Sequence, residues 1–147
     1  MPRGFFGIGI YQPKHTENIG TLMRSAFCLG ADFLFTIGRR YKTQSSDTVK
    51  AVRHIPYYHY VSADEWLSNL PYATIPVLIE LAPNAYSLPN YCHPERAVYL
   101  LGNEVDGVPQ KLLKRGFQTV QVPSRQCLNV SATGSIIMYD RISKGIS

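Results

Sequence analysis

Residues 97–109 of this chain read AVYLLGNEVDGVP, an apolar run that passes into a loop containing two glycines. Five consecutive residues, 97–101, predict a strand that is buried on both faces, as in the middle of a parallel sheet. Gly102 and Gly107 follow at the carboxyl end of this strand, where open parallel sheets bind their ligands. They would let the backbone approach a ligand, although a turn with positive φ explains them equally well. The spacing matches neither a dinucleotide-binding nor a Walker loop.

The rest of the chain alternates short apolar runs with helical patterns. This order predicts βαβ units, hence a mostly parallel α/β sheet with helices on both faces. Strands are expected at 5–11, 33–37, 57–61, 76–81, 97–101 and 119–122, and helices between 13 and 30 and at 64–70, 109–115 and 129–143. Residues 82–95 contain three prolines and predict a long surface loop. Residues 38–53 predict a basic loop with a short helix after Ser46 or Asp47.

Length and composition favour one domain, residues 1–147, because 147 residues with 45% apolar composition build one core and leave no room for a second. No bilayer-spanning run or secretory signal is recognised, and three cysteines without CxxC spacing favour neither disulfides nor zinc, so we expect a cytoplasmic protein. The four histidines lack metal-ligand spacing, and no metal is predicted. The net charge of +5 is compatible with a polyanionic partner.

Three short motifs carry polar residues beside predicted helices or strand ends. Asn18 and Arg24 lie at the start of the first helix, in NIGTLMR; helix capping and a solvated arginine would explain them. Glu104 lies within the GNEVDG loop. Asn129 lies in LNVSA before the last helix, where Asn129 or Ser131 could simply cap the helix.

Taken together and in this order, these motifs resemble the three signature motifs of the SpoU/TrmH family of SPOUT methyltransferases, and the match runs from Ile8 to Ile142. The resemblance implies an RNA (ribose-2′-O)-methyltransferase that uses S-adenosylmethionine (AdoMet). It also implies a C-terminal deep trefoil knot and a homodimer with the active site at its interface. Because small single-domain members of the family often modify tRNA, the resemblance implies tRNA as the substrate more than rRNA.

The resemblance also implies site residues. Arg24 matches the catalytic arginine and is expected to act across the dimer interface, with Asn18 and Glu104 nearby. We expect it to orient phosphate and ribose; a role as base stays open, because a guanidinium remains protonated. Cofactor contacts are implied near Glu80, Leu81, Gly102, Val122, Cys127, Leu128 and Asn129. Cys127 stands where many relatives have serine, and a thiol is a weak donor, so we expect it only to fill a tight loop.

Basic residues after the second predicted strand, Arg39, Arg40 and Lys42, are candidates for RNA phosphate contacts. The tyrosines at 57–60 could stack on bases, but packing in the core or in a dimer contact is favoured. No separate RNA-binding domain is expected. Two other functions remain open: a non-catalytic RNA-binding module with the same fold, and an enzyme that methylates a protein or small molecule.

Overall fold

The computed structural model describes residues 4–41 and 54–146, in which a parallel sheet is covered by helices on both faces. The helices are α1 (Thr16–Cys28), α2 (Ala63–Ser68), α3 (Gln110–Leu113) and α4 (Val130–Ser143). The strands are β1 (Phe5–Tyr11), β2 (Phe33–Ile37), β3 (Tyr57–Tyr60), β4 (Ile75–Ile79), β5 (Tyr86–Ser87), β6 (Arg96–Leu101) and β7 (Gln118–Gln121). A short 3₁₀ turn, Leu88–Asn90, follows β5. No helix in the described part of the chain is long and apolar enough to cross a membrane.

The strand order in the sheet is β3-β2-β1-β6-β4-β7-β5, and every neighbouring pair is parallel. Since all carboxyl ends therefore lie at one edge of the sheet, the loops that follow β1, β4, β6 and β7 are brought together there. The predicted mostly parallel sheet with helices is confirmed.

Two hydrophobic clusters fill the space on the two faces of the sheet. One contains Met23 of α1 and Ile137 of α4, and the other contains Trp66 of α2 and Leu112 of α3. Side chains alternate between the two faces of the sheet most clearly in β1, where Phe6, Ile8 and Ile10 belong to the first cluster. The glycines between them make room on the other face, because a Cβ at Gly7 or Gly9 would overlap the aromatic rings of β2.

The predicted surface loop at 82–95 is wrong in part. It contains β5 and the 3₁₀ turn, and it buries Leu88, Tyr91 and His93. A two-residue strand is too short to show alternation in the sequence, and the burial of the loop depends on contacts with β7 and α4.

Several helix boundaries also differ from the predicted ones. α2 ends at Ser68, and α3 is one turn long; α1 begins at Thr16, so that His15, and not Asn18, is its N-cap residue. Asn129 does cap α4, as one alternative predicted. The predicted basic loop and short helix fall mostly on residues 42–53, which lie outside the described residues, as does Lys42.

Candidate active site

A cavity of about 420 Å³ lies at the carboxyl edge of the sheet. Its walls come from the loops that follow β4, β6 and β7, together with the first turn of α4. The lining segments are residues 79–81, 101–107 and parts of 122–133. The cavity thus forms where three stretches that are distant in sequence meet.

All seven residues implied as cofactor contacts line this cavity: Glu80, Leu81, Gly102, Val122, Cys127, Leu128 and Asn129. Three apolar side chains, Leu81, Val105 and Leu128, line the cavity yet remain well exposed, at 38%, 73% and 42%. Exposed apolar groups around a cavity are suited to cover a flat apolar ligand. Cys127 is exposed and lines the cavity, so it does not fill a tight loop as expected.

Side chains from the three motifs meet beside this cavity. The Asn18 amide Nδ2 donates a hydrogen bond to Glu104 Oε1. Asn129 Nδ2 donates to Asn18 Oδ1 at 3.0 Å. We call Asn18, Glu104 and Asn129 the amide–carboxylate cluster.

Asn129 has two functions in this cluster because its two side-chain atoms point to different partners. Its Oδ1 accepts hydrogen bonds from the backbone N–H groups of Ser131 and Ala132, at 2.9 and 3.3 Å, and thereby caps α4. This leaves Nδ2 oriented towards Asn18. The start of α4 is therefore tied directly to the first turn of α1.

Glu104 is held as a carboxylate. Burial alone would raise its pKa, but hydrogen bonds from its own N–H, from the Asn18 amide and from the Lys14 N–H, together with nearby His15, lower the pKa below its usual value. The side chain is thus ionised at neutral pH, which suits an acceptor that orients a donor better than a base poised near pH 7.

The turn that carries Glu104 is tightly built. Asn103 is 5% exposed, and its Oδ1 accepts hydrogen bonds from the N–H groups of Val105 and Asp106 at 2.9 and 2.6 Å. Gly107 has φ of +66° and donates its N–H to Asn103 O at 3.2 Å. A Cβ at Gly102 would overlap the backbone of Gly107 and Val108, so this glycine is required for close approach as well as for a turn.

Arg24 is not brought to the cavity of its own chain. It lies exposed on α1, six residues after Asn18, and is absent from the residues that line the cavity. Among the described residues its side chain makes no hydrogen bond or ion pair.

Basic groups lie next to the amide–carboxylate cluster. The Arg39 guanidinium donates to Lys14 O at 2.6 Å, and Lys14 Nζ lies 3.6 Å from a carboxylate oxygen of Asp106. Arg40 is exposed beside Arg39. Lys14 was missed from the sequence, where the only available signal was a cation between the first strand and the first motif.

Among residues 4–41 and 54–146, no group of three or more His, Cys, Asp or Glu side chains could hold a metal ion.

The aromatic side chains of β3 do not form one surface. Tyr57 is half-buried and its hydroxyl lies 2.6 Å from Thr36 Oγ1, while Tyr58 is 49% exposed.

The fold and cavity define an α/β protein whose ligand site is assembled from loops at the carboxyl edge of a parallel sheet. The family model described as "SpoU rRNA Methylase family" matches residues 6–139, and the chain belongs to this family. No match was found among curated proteins.

Solved structures share the fold at low sequence identity. A structure described as "Structural insights into the 2-OH methylation of C/U34 on tRNA" is 24% identical with a TM-score of 0.82, over 97% of this chain and 98% of that one. The SpoU methyltransferase AviRb from Streptomyces viridochromogenes, in complex with AdoMet, is 21% identical with a TM-score of 0.81, over 100% of this chain but 60% of AviRb. An AdoMet-bound rRNA methyltransferase from Sinorhizobium meliloti is 20% identical with a TM-score of 0.83, over 99% of this chain and 59% of that one.

Proposed function

We propose that this chain is an AdoMet-dependent RNA methyltransferase that methylates a ribose 2′-hydroxyl, with tRNA as its preferred substrate. The observation that carries the proposal is the amide–carboxylate cluster, in which one side chain from each family motif converges beside a single cavity. The solved structure whose description concerns 2-OH methylation of tRNA is matched over nearly its whole length, which supports tRNA as the substrate.

The cavity has features suited to AdoMet. Its volume of about 420 Å³ falls within the range of roughly 300–1,000 Å³ typical of small-molecule sites. Gly102 lines the cavity, and a Cβ there would overlap the backbone of Gly107 and Val108, so a glycine allows the turn to close tightly beside the cavity. We assign Glu80, Leu81, Gly102, Val122, Cys127, Leu128 and Asn129 to the cofactor site, with Glu80 and Cys127 contributing backbone groups.

Bound AdoMet would supply an electrophilic methyl group. The chain's own residues would place the acceptor: Glu104, ionised and oriented by Asn18, can accept a hydrogen bond from a ribose hydroxyl. Arg39 and Arg40 would contact RNA phosphates at the same edge, and Lys42 is proposed for such contacts from its position in the sequence alone. Orientation of this kind contributes much of the rate in group transfer between bound partners.

Arg24 would act from a second copy of the chain. α1 and α4 pack side by side and expose Arg24 and Phe27 together with Ile136 and Tyr139. An apolar helix surface beside an exposed arginine fits a two-fold dimer in which this guanidinium reaches the partner's cavity. We assign it to orienting the phosphate and ribose, and we place this enzyme in the cytoplasm.

We also propose the deep trefoil knot. β7 lies beyond β4 in the sheet, yet α4 packs on α1 beside β1, so the chain returns across the carboxyl ends of β4 and β6 after β7. This path supports a C-terminal segment threaded through the loops that line the cavity. Knots are very rare in proteins, and the family is an exception.

Methyl transfer to RNA tests the proposal directly. We expect calorimetry to detect AdoMet binding, and labelled methyl groups to enter purified tRNA in a product that resists alkaline cleavage, as a 2′-O-methyl linkage does. Folded protein that does not bind AdoMet would instead support the non-catalytic RNA-binding module. Transfer that survives ribonuclease treatment of the substrate pool would support a protein or small-molecule acceptor.

Ribosomal RNA is the second candidate substrate, favoured by the family description and by the Sinorhizobium meliloti relative. Parallel assays with tRNA and rRNA decide between them, since the preferred substrate should give the higher kcat/KM.

The role of Arg24 and the dimer can be tested together. We expect Arg24→Ala to lower kcat by about 100-fold or more while leaving AdoMet affinity nearly unchanged, because only positioning of the acceptor is lost. Co-production of Arg24→Ala and Glu104→Gln chains should restore about a quarter of the wild-type activity. Random pairing makes about half of the dimers mixed, and each mixed dimer contains one intact site out of two. No recovery in proven mixed dimers would contradict action across the interface.

A further inference from the structure

We propose that Glu80 is a positioning residue, whose carboxylate fixes the turn that carries Glu104 by accepting two backbone hydrogen bonds. This inference rests on the proposed function for its effect on activity. Glu80 was implied only as lying near the cofactor, and the geometry points to a different task for its side chain.

Glu80 lies between two loops at the cavity wall. It follows β4 directly, and its own N–H donates to Val120 O at 3.0 Å, which anchors its backbone to β7. Its Oε2 accepts the Val108 N–H at 2.7 Å, and its Oε1 accepts the Leu81 N–H at 3.1 Å. One carboxylate therefore joins the end of β4 to the end of the turn at 103–107.

This carboxylate is in close contact with the turn on one side and faces the cavity on the other. A Cβ at Gly107 would overlap Glu80 Oε2, and a Cβ at Gly102 would overlap Gly107 and Val108. The carboxylate, the 107–108 backbone and Gly102 are thus stacked in direct contact. The hydrogen bond from the Val108 N–H and the close contact at Gly107 couple the position of the carboxylate to that of the turn.

The hydrogen bonds of the turn connect the position of the 107–108 backbone to that of Glu104. The Asn103 Oδ1 hydrogen bonds to Val105 and Asp106, with the Gly107–Asn103 backbone hydrogen bond, make residues 103–107 one unit. Glu104 lies in that unit and reaches Asn18. Glu80 therefore acts on the amide–carboxylate cluster from the opposite end of the turn.

A carboxylate suits this task, because each of its two oxygens can accept a backbone hydrogen bond. A glutamine at position 80 would keep one acceptor and present an NH₂ group to the other backbone N–H. The substitution is nearly isosteric, so it removes one hydrogen bond and the charge with little change in volume.

The decisive experiment compares Glu80→Gln with Glu95→Gln, an exposed glutamate immediately before β6 at the opposite edge of the sheet. We expect Glu80→Gln to lower kcat about 10- to 100-fold, as a small misplacement does, with AdoMet affinity changed less than about threefold. The Val108 amide resonance should move and its hydrogen exchange should accelerate. Glu95→Gln should change none of these.

Two results would overturn the inference. One is an unchanged Val108 amide in Glu80→Gln; the other is weaker AdoMet binding with unchanged kcat, which would assign the carboxylate to direct contact with the ligand. Wild-type methyl transfer tests the proposed function separately, whereas the amide measurement tests Glu80 whether or not a methyl group is transferred.

A double-mutant cycle tests the packed contact without any assay of activity. Gly107→Ala should lower the melting temperature through overlap with Glu80 and through strain at positive φ. Glu80→Ala removes the overlap, so the double variant should lose less than the sum of the two single losses. Strict additivity would contradict the contact.

Discussion

Two polar clusters join distant parts of this chain, and they differ in burial. The amide–carboxylate cluster lies at the carboxyl edge of the sheet, and Asn18, Glu104 and Asn129 all keep some exposure to solvent beside an open cavity. The second cluster contains His93 and Arg141, which are 6% and 0% exposed, around the hydroxyl of Tyr99. We call it the buried histidine–arginine cluster.

The buried histidine–arginine cluster is held together by hydrogen bonds among its own residues and the segment before β6. The Arg141 guanidinium donates to Pro94 O and Glu95 O, both at 2.6 Å, and to Tyr99 Oη at 3.1 Å. His93 Nδ1 lies 2.6 Å from Tyr99 Oη. Burial raises the pKa of Tyr99 to about 12, so its hydroxyl stays protonated and can donate to His93.

The two polar clusters serve different purposes, stability and activity, in this protein. Polar groups that are buried and mutually bonded hold α4 against the segment before β6, and a buried polar group without partners would be costly. Polar groups of comparable number at the carboxyl edge face a cavity, where a ligand can complete their hydrogen bonds. We expect the buried cluster to govern stability and the exposed cluster to govern activity.

Arg141→Ala should break the buried cluster and give the largest effect on stability. It removes the donor to Pro94 O and to the Tyr99 hydroxyl, and one of the two donors to Glu95 O, which we expect to cost about 3–5 kcal/mol of unfolding free energy. Urea denaturation measures this. The control Arg115→Ala removes an exposed arginine 3.6 Å from Asp64 and should cost less than about 1 kcal/mol. Equal losses in both variants would contradict the comparison.

Asn129→Asp should separate capping from activity in the exposed cluster. Aspartate keeps the oxygen that caps α4 but cannot donate to Asn18, so we expect near wild-type stability with kcat lowered about 10- to 100-fold. Asn129→Ala should lose the cap as well, at about 1 kcal/mol.

Ser62→Ala is the matched control, because it removes the N-cap of α2, where Ser62 Oγ accepts the Glu65 N–H, away from the cavity. It should lower stability to a similar extent and leave methyl transfer intact. Full activity in Asn129→Asp would show that the Asn18–Asn129 hydrogen bond is dispensable.

His93 should make the buried cluster sensitive to acid. Burial lowers the pKa of His93 below its ordinary value of 6.5, outweighing the hydrogen bond to Asp140 at 2.7 Å, while Lys144 and Arg141 lower the pKa further. Below pH 6.5 the unfolded chain therefore binds a proton that the folded chain does not, so stability falls as pH decreases through this value.

Unfolding free energies measured between about pH 7.5 and pH 5.5 test this expectation. The decline should be shallower in His93→Gln and unchanged in His54→Gln, which alters an exposed histidine whose ring lies tilted against Phe27. A wild-type curve that is flat over this interval would contradict the lowered pKa.

Cys127→Ser should give the smallest effect. The thiol is exposed at the cavity and makes no hydrogen bond among the described residues, so we expect kcat to stay within about threefold of wild type, a barrier change below 1 kcal/mol. Cys92→Ser, also exposed, serves as the control. A large loss in Cys127→Ser alone would make the thiol part of the site.

Periodicity predicted the elements with strong local signals. β1 and β2 have the bounds expected from their apolar runs, and Gly30 follows α1 with φ of +84° as a terminating glycine should. β5 was missed because two residues show no period, and its pairing with β7 is a contact across 30 or more residues. The site was predicted from ordered motifs, since no local pattern shows that Asn18 and Asn129 touch.

Local sequence patterns specify the alternation of strands and helices, the parallel sheet and the residues available for chemistry, because side-chain periodicity and turn residues act over a few positions. Which of those residues meet depends on how the segments pack in three dimensions. Strand order brings the loops after β4, β6 and β7 into one wall, places Lys14 beside Glu104 and leaves Arg24 outside. Contacts of this kind depend on packing between segments about 100 residues apart, and a local sequence pattern does not show how close such segments lie in space.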